Sequence, residues 1–162
     1  MIRDLDPQAD RAAVESLFLA AADYIALETG LPVDGTQADD FFADAPPGID
    51  PATSLRLGLF GPAGLEGLAE VAFGFPDPQD AYIGLMLFGA MARGNGGGAR
   101  LLRGIESRAR QRGATRLLLA VLEANPKGRA FWQREGFAVE QSFPETDMGL
   151  RRHIRHRMLK AL

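Results

Sequence analysis

The chain has 162 residues, 46% of them hydrophobic and 24% charged, which is typical of one soluble globular domain spanning residues 1–162. It has no cysteine, which excludes disulfide bonds, thiolate catalysis and cysteine metal sites, and which suits a reducing, cytoplasmic compartment. The charged first residues lack the apolar region of a signal peptide, and the longest uncharged apolar stretch, AYIGLMLFGAMA, is shorter than the roughly 20 residues of a membrane helix. We therefore expect no membrane partner.

The charges are distributed unevenly along the chain, although the formal net charge is only −3. Residues 1–92 hold 3 basic and 15 acidic side chains, whereas residues 93–162 hold 15 basic and 6 acidic ones. Two halves of opposite charge can attract each other in the fold, or they can attract two different ligands.

The first half of the chain predicts a short strand, two helices and a meander of three strands. The strand is Ile2–Leu5, and an apolar stripe predicts a long helix from Pro7 to Leu27 with Asp6 as its cap. A second, short helix is predicted at residues 36–44, capped by Thr36. The three strands are predicted at residues 54–60, 65–75 and 81–88. The last of them is apolar on both faces, which places it in the centre of a sheet.

The second half predicts two helices and three strands. An amphipathic helix over residues 97–113 precedes a buried strand over 115–123, which must run parallel to the strand before the helix. A short helix within residues 125–137 and two strands at 137–143 and 153–159 complete the chain. The order β-α-α-β-β-β-α-β-α-β-β predicts an α/β (α+β) fold. Its sheet is mixed and mostly antiparallel, has six to seven strands, and carries helices on both faces.

A run of glycines, Gly94–Gly98 with Asn95 as its one other residue, lies between an apolar strand and a helix. Bare backbone N–H groups at a helix N-terminus bind anions, and a diphosphate is the natural ligand. No Lys-Ser or Lys-Thr pair follows the glycines, which excludes a Walker loop.

A dinucleotide-binding pattern, G-x-G-x-x-G/A, also matches as Gly94, Gly96 and Ala99, and Glu123 ends the next strand, where a ribose-binding acid is expected. The residues GAMAR separate this pattern from its strand, and a meander precedes it. Dinucleotide binding is therefore the weaker alternative.

Two motifs resemble those of the GNAT N-acetyltransferase superfamily. Residues Arg93 to Gly98 fit R/Q-x-x-G-x-G/A, the acetyl-CoA pyrophosphate loop of that family. The stretch Asn125–Phe137 fits N-x-x-A-x-x-[LF]-[YW]-x-x-x-G-F, with Gly128 in place of the usual alanine. Further stretches, among them DYIALETGLP and AYIGLML, are similar to a subgroup with small-molecule or unknown acceptors.

The resemblance implies acetyl-CoA as co-substrate, without a metal. Backbone N–H groups of Gly94–Ala99 would bind the pyrophosphate, the third strand of the meander would pair with the pantetheine arm, and the N–H of Phe88 would serve as oxyanion donor. Asn125 would bind the pantetheine chain, cap a helix, or do both. The implied co-substrate residues are Met86, Leu87, Phe88, Arg93, Gly94, Asn95, Gly96, Gly97, Gly98, Ala99, Asn125, Phe131 and Trp132.

The general base is left open, because the two positions where relatives carry a glutamate hold Ala120 and Tyr82. Glu70, within an apolar strand, is the first candidate. Asp80, Glu123 and Tyr82 follow, and a chain of water molecules is an alternative. Trp132 stands where many relatives have a tyrosine acid, so either the thiolate leaves without an acid or another tyrosine substitutes.

Asp23 and Tyr24, late in the first predicted helix, would line the acceptor pocket of such a fold. Together with the acidic first half, they predict acetyl transfer to the primary amine of a small, cationic acceptor by direct attack in a ternary complex. A non-catalytic acyl-CoA sensor is the alternative. The two histidines, His153 and His156, lie among arginines, which favours a structural role over a metal site. The same basic run predicts a solvated edge strand and no nucleic-acid partner. Monomer and homodimer both stay open.

Overall fold

The computed structural model describes all residues, 1–162, as seven strands and five helices. The strands are β1 Ile2–Asp4, β2 Leu55–Gly61, β3 Gly64–Phe73, β4 Asp80–Phe88, β5 Arg116–Leu122, β6 Ala138–Met148 and β7 Arg151–Ala161. The helices are α1 Arg11–Ala20, α2 Ala22–Thr29, α3 Thr36–Ala43, α4 Gly97–Gln111 and α5 Pro126–Arg134. None of the helices is long and apolar enough to span a membrane.

All seven strands form one sheet in the order β1-β2-β3-β4-β5-β7-β6. Neighbouring strands are antiparallel except β4 and β5, which are parallel because α4 crosses over between them. The predicted element order, the parallel pair and the mixed sheet are confirmed, although the long first helix of the prediction is two helices. The basic strand that contains His153 and His156 was predicted at the edge of the sheet, which is wrong, because this strand is β7 and lies between β5 and β6.

A separate hydrophobic core lies on each face of the sheet. On one face, α4 buries Leu101, Leu102 and Ile105 in a cluster of 17 residues that also includes Trp132 of α5. On the other face, α1 to α3 form a cluster of 10 buried residues with β3 and β4. The helices therefore cover both faces, as predicted, and the face with α1 to α3 is called the α2 face below.

The predicted helix start at Pro7 and the cap at Thr36 are both wrong. Residues 7–10 form a turn, and the Asp6 carboxylate accepts hydrogen bonds from the N–H groups of Gln8 and Ala9 within it. Thr36 is the first residue of α3 rather than its cap, and its N–H donates to the carboxylate of Asp34. In both cases a short aspartate side chain binds the backbone close to the predicted helix start.

The predicted single helix over 7–27 divides at Ala21, which has φ −110° and ψ 22° and is completely buried. No glycine or proline marks this break, so the pattern predicted a continuous helix. The change of direction lets α2 pack against β7. In the turn just before β7, the N–H of Leu150 donates to the carbonyl of Thr29 at the end of α2.

Candidate active site

Strands β4 and β5 separate halfway along their length. They pair only from Asp80 to Ile83 and from Arg116 to Leu119, although β4 continues to Phe88. On its other side, β4 stays paired with β3 as far as Phe88. The backbone groups of β4 that face β5 beyond Ile83 are therefore free to pair with an extended ligand.

A β-bulge lies at the point of separation. Leu85 pairs with Glu70 and Ile83 pairs with Val71, which leaves Gly84 as the extra residue of β4. A bulge bends its strand and increases the local twist, which accounts for the divergence of β4 from β5.

A cleft of about 620 Å³ fills the wedge between the two strands. Of the predicted site residues, those that line the cleft are Tyr24, Met86, Leu87, Phe88, Arg93, Gly94, Gly96, Gly98, Ala99, Asn125, Phe131 and Trp132. Asn95 and Gly97 belong to the same loop but do not line it, and neither do Asp23, Glu70 and Tyr82. The structure thus brings together most of the residues implied for the co-substrate, and only Tyr24 of those implied for the acceptor.

The glycine loop requires glycine at two positions and is tightly packed at a third. Gly94 and Gly96 have φ of 80° and 75°, which other residues rarely adopt. A Cβ atom on Gly98 would lie 3.1 Å from the ring of Phe131, a contact that requires the ring to shift slightly. The loop leads into α4, a helix of 15 residues whose first N–H groups have no side-chain cap. These groups are open to an anion.

Arg93 and Asp23 form an ion pair that the sequence did not indicate. The guanidinium donates two hydrogen bonds to the carboxylate, of 2.6 Å and 2.9 Å, and a third to the carbonyl of Phe88. These bonds from Arg93 lower the pKa of Asp23. The pair joins one residue implied for the pyrophosphate to one implied for the acceptor, so neither charge is free in this state.

Two unpaired cations on α5, Lys127 and Arg134, line the same cleft and were missed by the sequence reasoning. Neither forms an ion pair within 4.0 Å. The sequence feature that could have indicated them is the set of basic residues in the helix directly after Asn125. They supply positive charge that Arg93 does not.

Asn125 caps α5, since its Oδ1 accepts a hydrogen bond of 3.0 Å from the N–H of Gly128. A Cβ atom at Gly128 would lie 2.5 Å from Nδ2 of Asn125, which explains the glycine where the resembling motif has alanine. Trp132 is buried between the rings of Phe131 and Phe137, at centroid distances of 4.9 Å and 5.3 Å.

Glu70 lies behind the bulge, on the α2 face. Its side chain is 7% exposed, and its Oε1 atom is buried without a hydrogen-bond partner. A Cβ atom on Gly84 would lie only 2.3 Å from Oε2, so the carboxylate occupies the space that a β4 side chain would take. Gly84 itself lines the cleft. Burial raises the pKa of Glu70, against smaller lowering effects of Ser54 and Arg56.

The other candidate bases are engaged elsewhere or lie away from the cleft. Asp80 accepts hydrogen bonds of 2.6 Å and 2.7 Å from Arg116. Glu123 lies 3.4 Å from Nε2 of His156. Tyr82 packs edge-on against a phenylalanine ring, and burial raises its pKa. Burial and the neighbouring Glu28 also raise the pKa of Tyr24.

Comparisons with known proteins agree with the family that the two motifs resemble. A profile of the Acetyltransferase (GNAT) family matches residues 59–137. The chain is similar to the structure of a ribosomal-protein-alanine N-acetyltransferase from Brucella melitensis, with 19% identity, a TM-score of 0.78 and coverage of 100% of this chain and 99% of that one. It is also similar to an acetyltransferase from Thermus thermophilus, with 20% identity, a TM-score of 0.76 and coverage of 100% and 96%.

A GCN5-related N-acetyltransferase from Kribbella flavida is 25% identical, with a TM-score of 0.74 and coverage of 100% of this chain and 97% of that one. No curated protein matches the sequence. The fold and the matching family define the class of the protein as an acyltransferase. The chain belongs to the GNAT acetyltransferase superfamily, a family that generally uses acetyl-CoA, and the resemblance drawn from its two motifs is confirmed.

Proposed function

We propose that this protein transfers an acetyl group from acetyl-CoA to the primary amine of a small acceptor by direct attack in a ternary complex. The observation that carries the proposal is the wedge between β4 and β5, which opens directly beside the glycine loop at the start of α4. One end offers free backbone groups to an extended chain, and the other offers N–H groups to a diphosphate.

The donor side is supported by the chemistry of the cleft. The N–H groups of Gly94–Ala99 would bind the pyrophosphate, and Lys127 and Arg134 would add positive charge for the phosphates. The pantetheine arm would pair with Met86–Phe88, where an N–H such as that of Phe88 would stabilise the oxyanion. Arg93 can bind the pyrophosphate only if it leaves Asp23 or binds the carboxylate of Asp23 and the pyrophosphate at once.

We assign the role of general base to Glu70. An alkyl ammonium has a pKa near ~10, so a base must accept its proton before or during the attack. Glu70 has a raised pKa, an unpartnered oxygen and a carboxylate beside the bare backbone of Gly84 in the cleft wall. Tyr82, on the same face, is the second candidate.

The leaving thiolate needs no acid from α5. The indole of Trp132 packs in the core and cannot donate a proton at neutral pH. The thiol of CoA has an ordinary pKa near ~8.5, so it can leave as the thiolate. Tyr24 is the tyrosine that lines the cleft, and its hydroxyl can donate a hydrogen bond there.

The experiment is a free-thiol assay with acetyl-CoA and a panel of primary amines, combined with calorimetric binding of acetyl-CoA and NAD. We expect acetyl-CoA to bind, NAD not to bind, and thiol release to depend on the amine. Binding of acetyl-CoA without turnover of any amine would favour a sensor instead. Binding of NAD in place of acetyl-CoA would refute the donor assignment.

A further inference from the structure

Two residues of β5 and two of β7 share the α2 face close to the wedge. Residues paired directly across strands share a face, and Ala120 of β5 pairs with Arg157 of β7, as Leu122 does with Arg155. Ala120 is exposed and lines the cleft, so the cleft opens onto this face. Arg155 is the diagonal neighbour of Ala120, a relation that places Cβ atoms roughly 7 Å apart and within reach of a long side chain.

Arg155 has no partner for its charge. Its Nε atom is buried without a hydrogen bond, and no carboxylate lies within 4.0 Å of its guanidinium. The ring of Phe143 is the aromatic surface near it, 5.7 Å from Cζ. A buried, unsatisfied donor on a charged group is costly, so its presence calls for a ligand.

Two other partly buried arginines of this face have hydrogen-bond partners. Arg157 donates to Glu140 and Gln141, at 3.0 Å and 2.9 Å. Arg56 donates to three backbone carbonyls, those of Phe41, Pro51 and Asp44. Arg155 therefore differs from them in its lack of partners; it does not itself line the cleft, but it is the diagonal neighbour of Ala120, which does.

We propose that the acceptor carries a carboxylate and that Arg155 binds it, which makes Arg155 a specificity-determining residue. The inference rests on the proposed function. A planar guanidinium matches a carboxylate in a two-point contact. The carboxylate of Glu28 on α2, which lies near His153 on the same face of β7, disfavours a more highly charged anion such as a phosphate.

The positions of Glu70 and Arg155 also limit the size of the acceptor. The β7 backbone lies two strand steps from β4, about 10 Å where the strands are paired and more at Arg155, which pairs with Leu122 beyond the point where β5 separates from β4. One small acceptor would bridge this gap, with its amine towards Gly84 and Glu70 and its carboxylate towards the long side chain of Arg155. This is the chemistry of an amino acid. A purely cationic acceptor has less support, because Asp23 is already paired with Arg93.

The test compares the twenty amino acids with their carboxamides, which keep the amine and lose the carboxylate charge. We expect the wild-type enzyme to use at least one acid tenfold to a hundredfold better, in kcat/KM, than its carboxamide. Arg155→Gln should raise KM for that acid by the same factor and leave the carboxamide unchanged. Arg152→Gln, an exposed position on the same strand, is the matched control and should keep the preference. Thermal unfolding and acetyl-CoA affinity check that both variants are folded.

Preference for carboxamides or plain diamines, or a preference that survives in Arg155→Gln, would overturn the inference and leave acetyl transfer intact. If no amine is acetylated, the proposed function fails. The carboxylate site is then tested separately, by the binding of N-acetyl amino acids to the CoA-loaded protein. Binding that is lost in Arg155→Gln would support a carboxylate site. Equal binding by both proteins, or none, would overturn it.

Discussion

Replacing Glu70 by Gln should abolish most of the activity and, at neutral pH, stabilise the fold. The substitution keeps the shape of the side chain and removes its charge and its basicity. A positioned general base contributes about 10²- to 10⁴-fold to a rate, which corresponds to about 3–5 kcal/mol in the activation barrier. We expect kcat to fall by such a factor, while the affinity for acetyl-CoA stays at the wild-type value.

The effect on stability follows from the raised pKa of Glu70. Its protonated form fits the buried site, so this contribution is fully present below the ordinary pKa of 4.5 and is lost as the pH rises through the raised value. Each unit by which the pKa is raised corresponds to about 1.4 kcal/mol. The difference in free energy of unfolding between Glu70→Gln and wild type should therefore grow in favour of the variant from pH 4 to pH 8.

The assays are urea denaturation across that pH range and a pH profile of kcat/KM. The profile should lose its acidic limb in Glu70→Gln, and in the wild type that limb should lie above pH 4.5. Glu66→Gln, the same change four residues earlier on β3, is the control and should alter neither measurement. Turnover within threefold of wild type, or a stability difference that is constant with pH, would refute the reasoning.

Two further changes probe the loop and the first turn. Gly98→Ala brings a Cβ atom within 3.1 Å of Phe131, so KM for acetyl-CoA should rise about tenfold or more, whereas Gly104→Ala, elsewhere on α4, should leave KM unchanged. An unaltered KM in the first variant would show that the loop tolerates a side chain. Asp10 has its pKa lowered to about 2, chiefly by hydrogen bonds from Arg3, so it stabilises the fold above pH 4 and less as the pH falls towards 2. Asp10→Asn should cost about 1–2 kcal/mol at pH 7, after allowance for the half-exposed arginine, and only a few tenths of that at pH 2; an equal cost at both values in urea titrations would contradict this.

Patterns that depend on neighbouring residues were predictable from the sequence. The alternation and apolar runs predicted the meander, and the crossover rule predicted the parallel pair from the helix between the two strands. The glycine loop was recognisable because most of its residues are glycine, the residue type that its backbone conformation requires. The break at Ala21 was not, because packing against β7 imposes it and no local signal marks it.

Features that join distant residues could not be predicted. The pair of Arg93 and Asp23 links positions 70 residues apart, and it neutralises two charges that the sequence assigned to two ligands. The isolation of Arg155 is of the same kind, because a lack of partners is defined only when every neighbour is known. A count of charges along the chain therefore misjudges the electrostatics of the cleft.

At Gly84, the space that a β4 side chain would take is filled by a residue of the neighbouring strand. Aligned by sequence, this place on β4 holds a residue with no side chain, and the site looks empty of acid or base. Behind the cleft wall, the carboxylate of Glu70 from the neighbouring strand lies there, 2.3 Å from where a Cβ would be. A comparison of related sequences at this point therefore has to include position 70 of β3 as well as position 84 of β4.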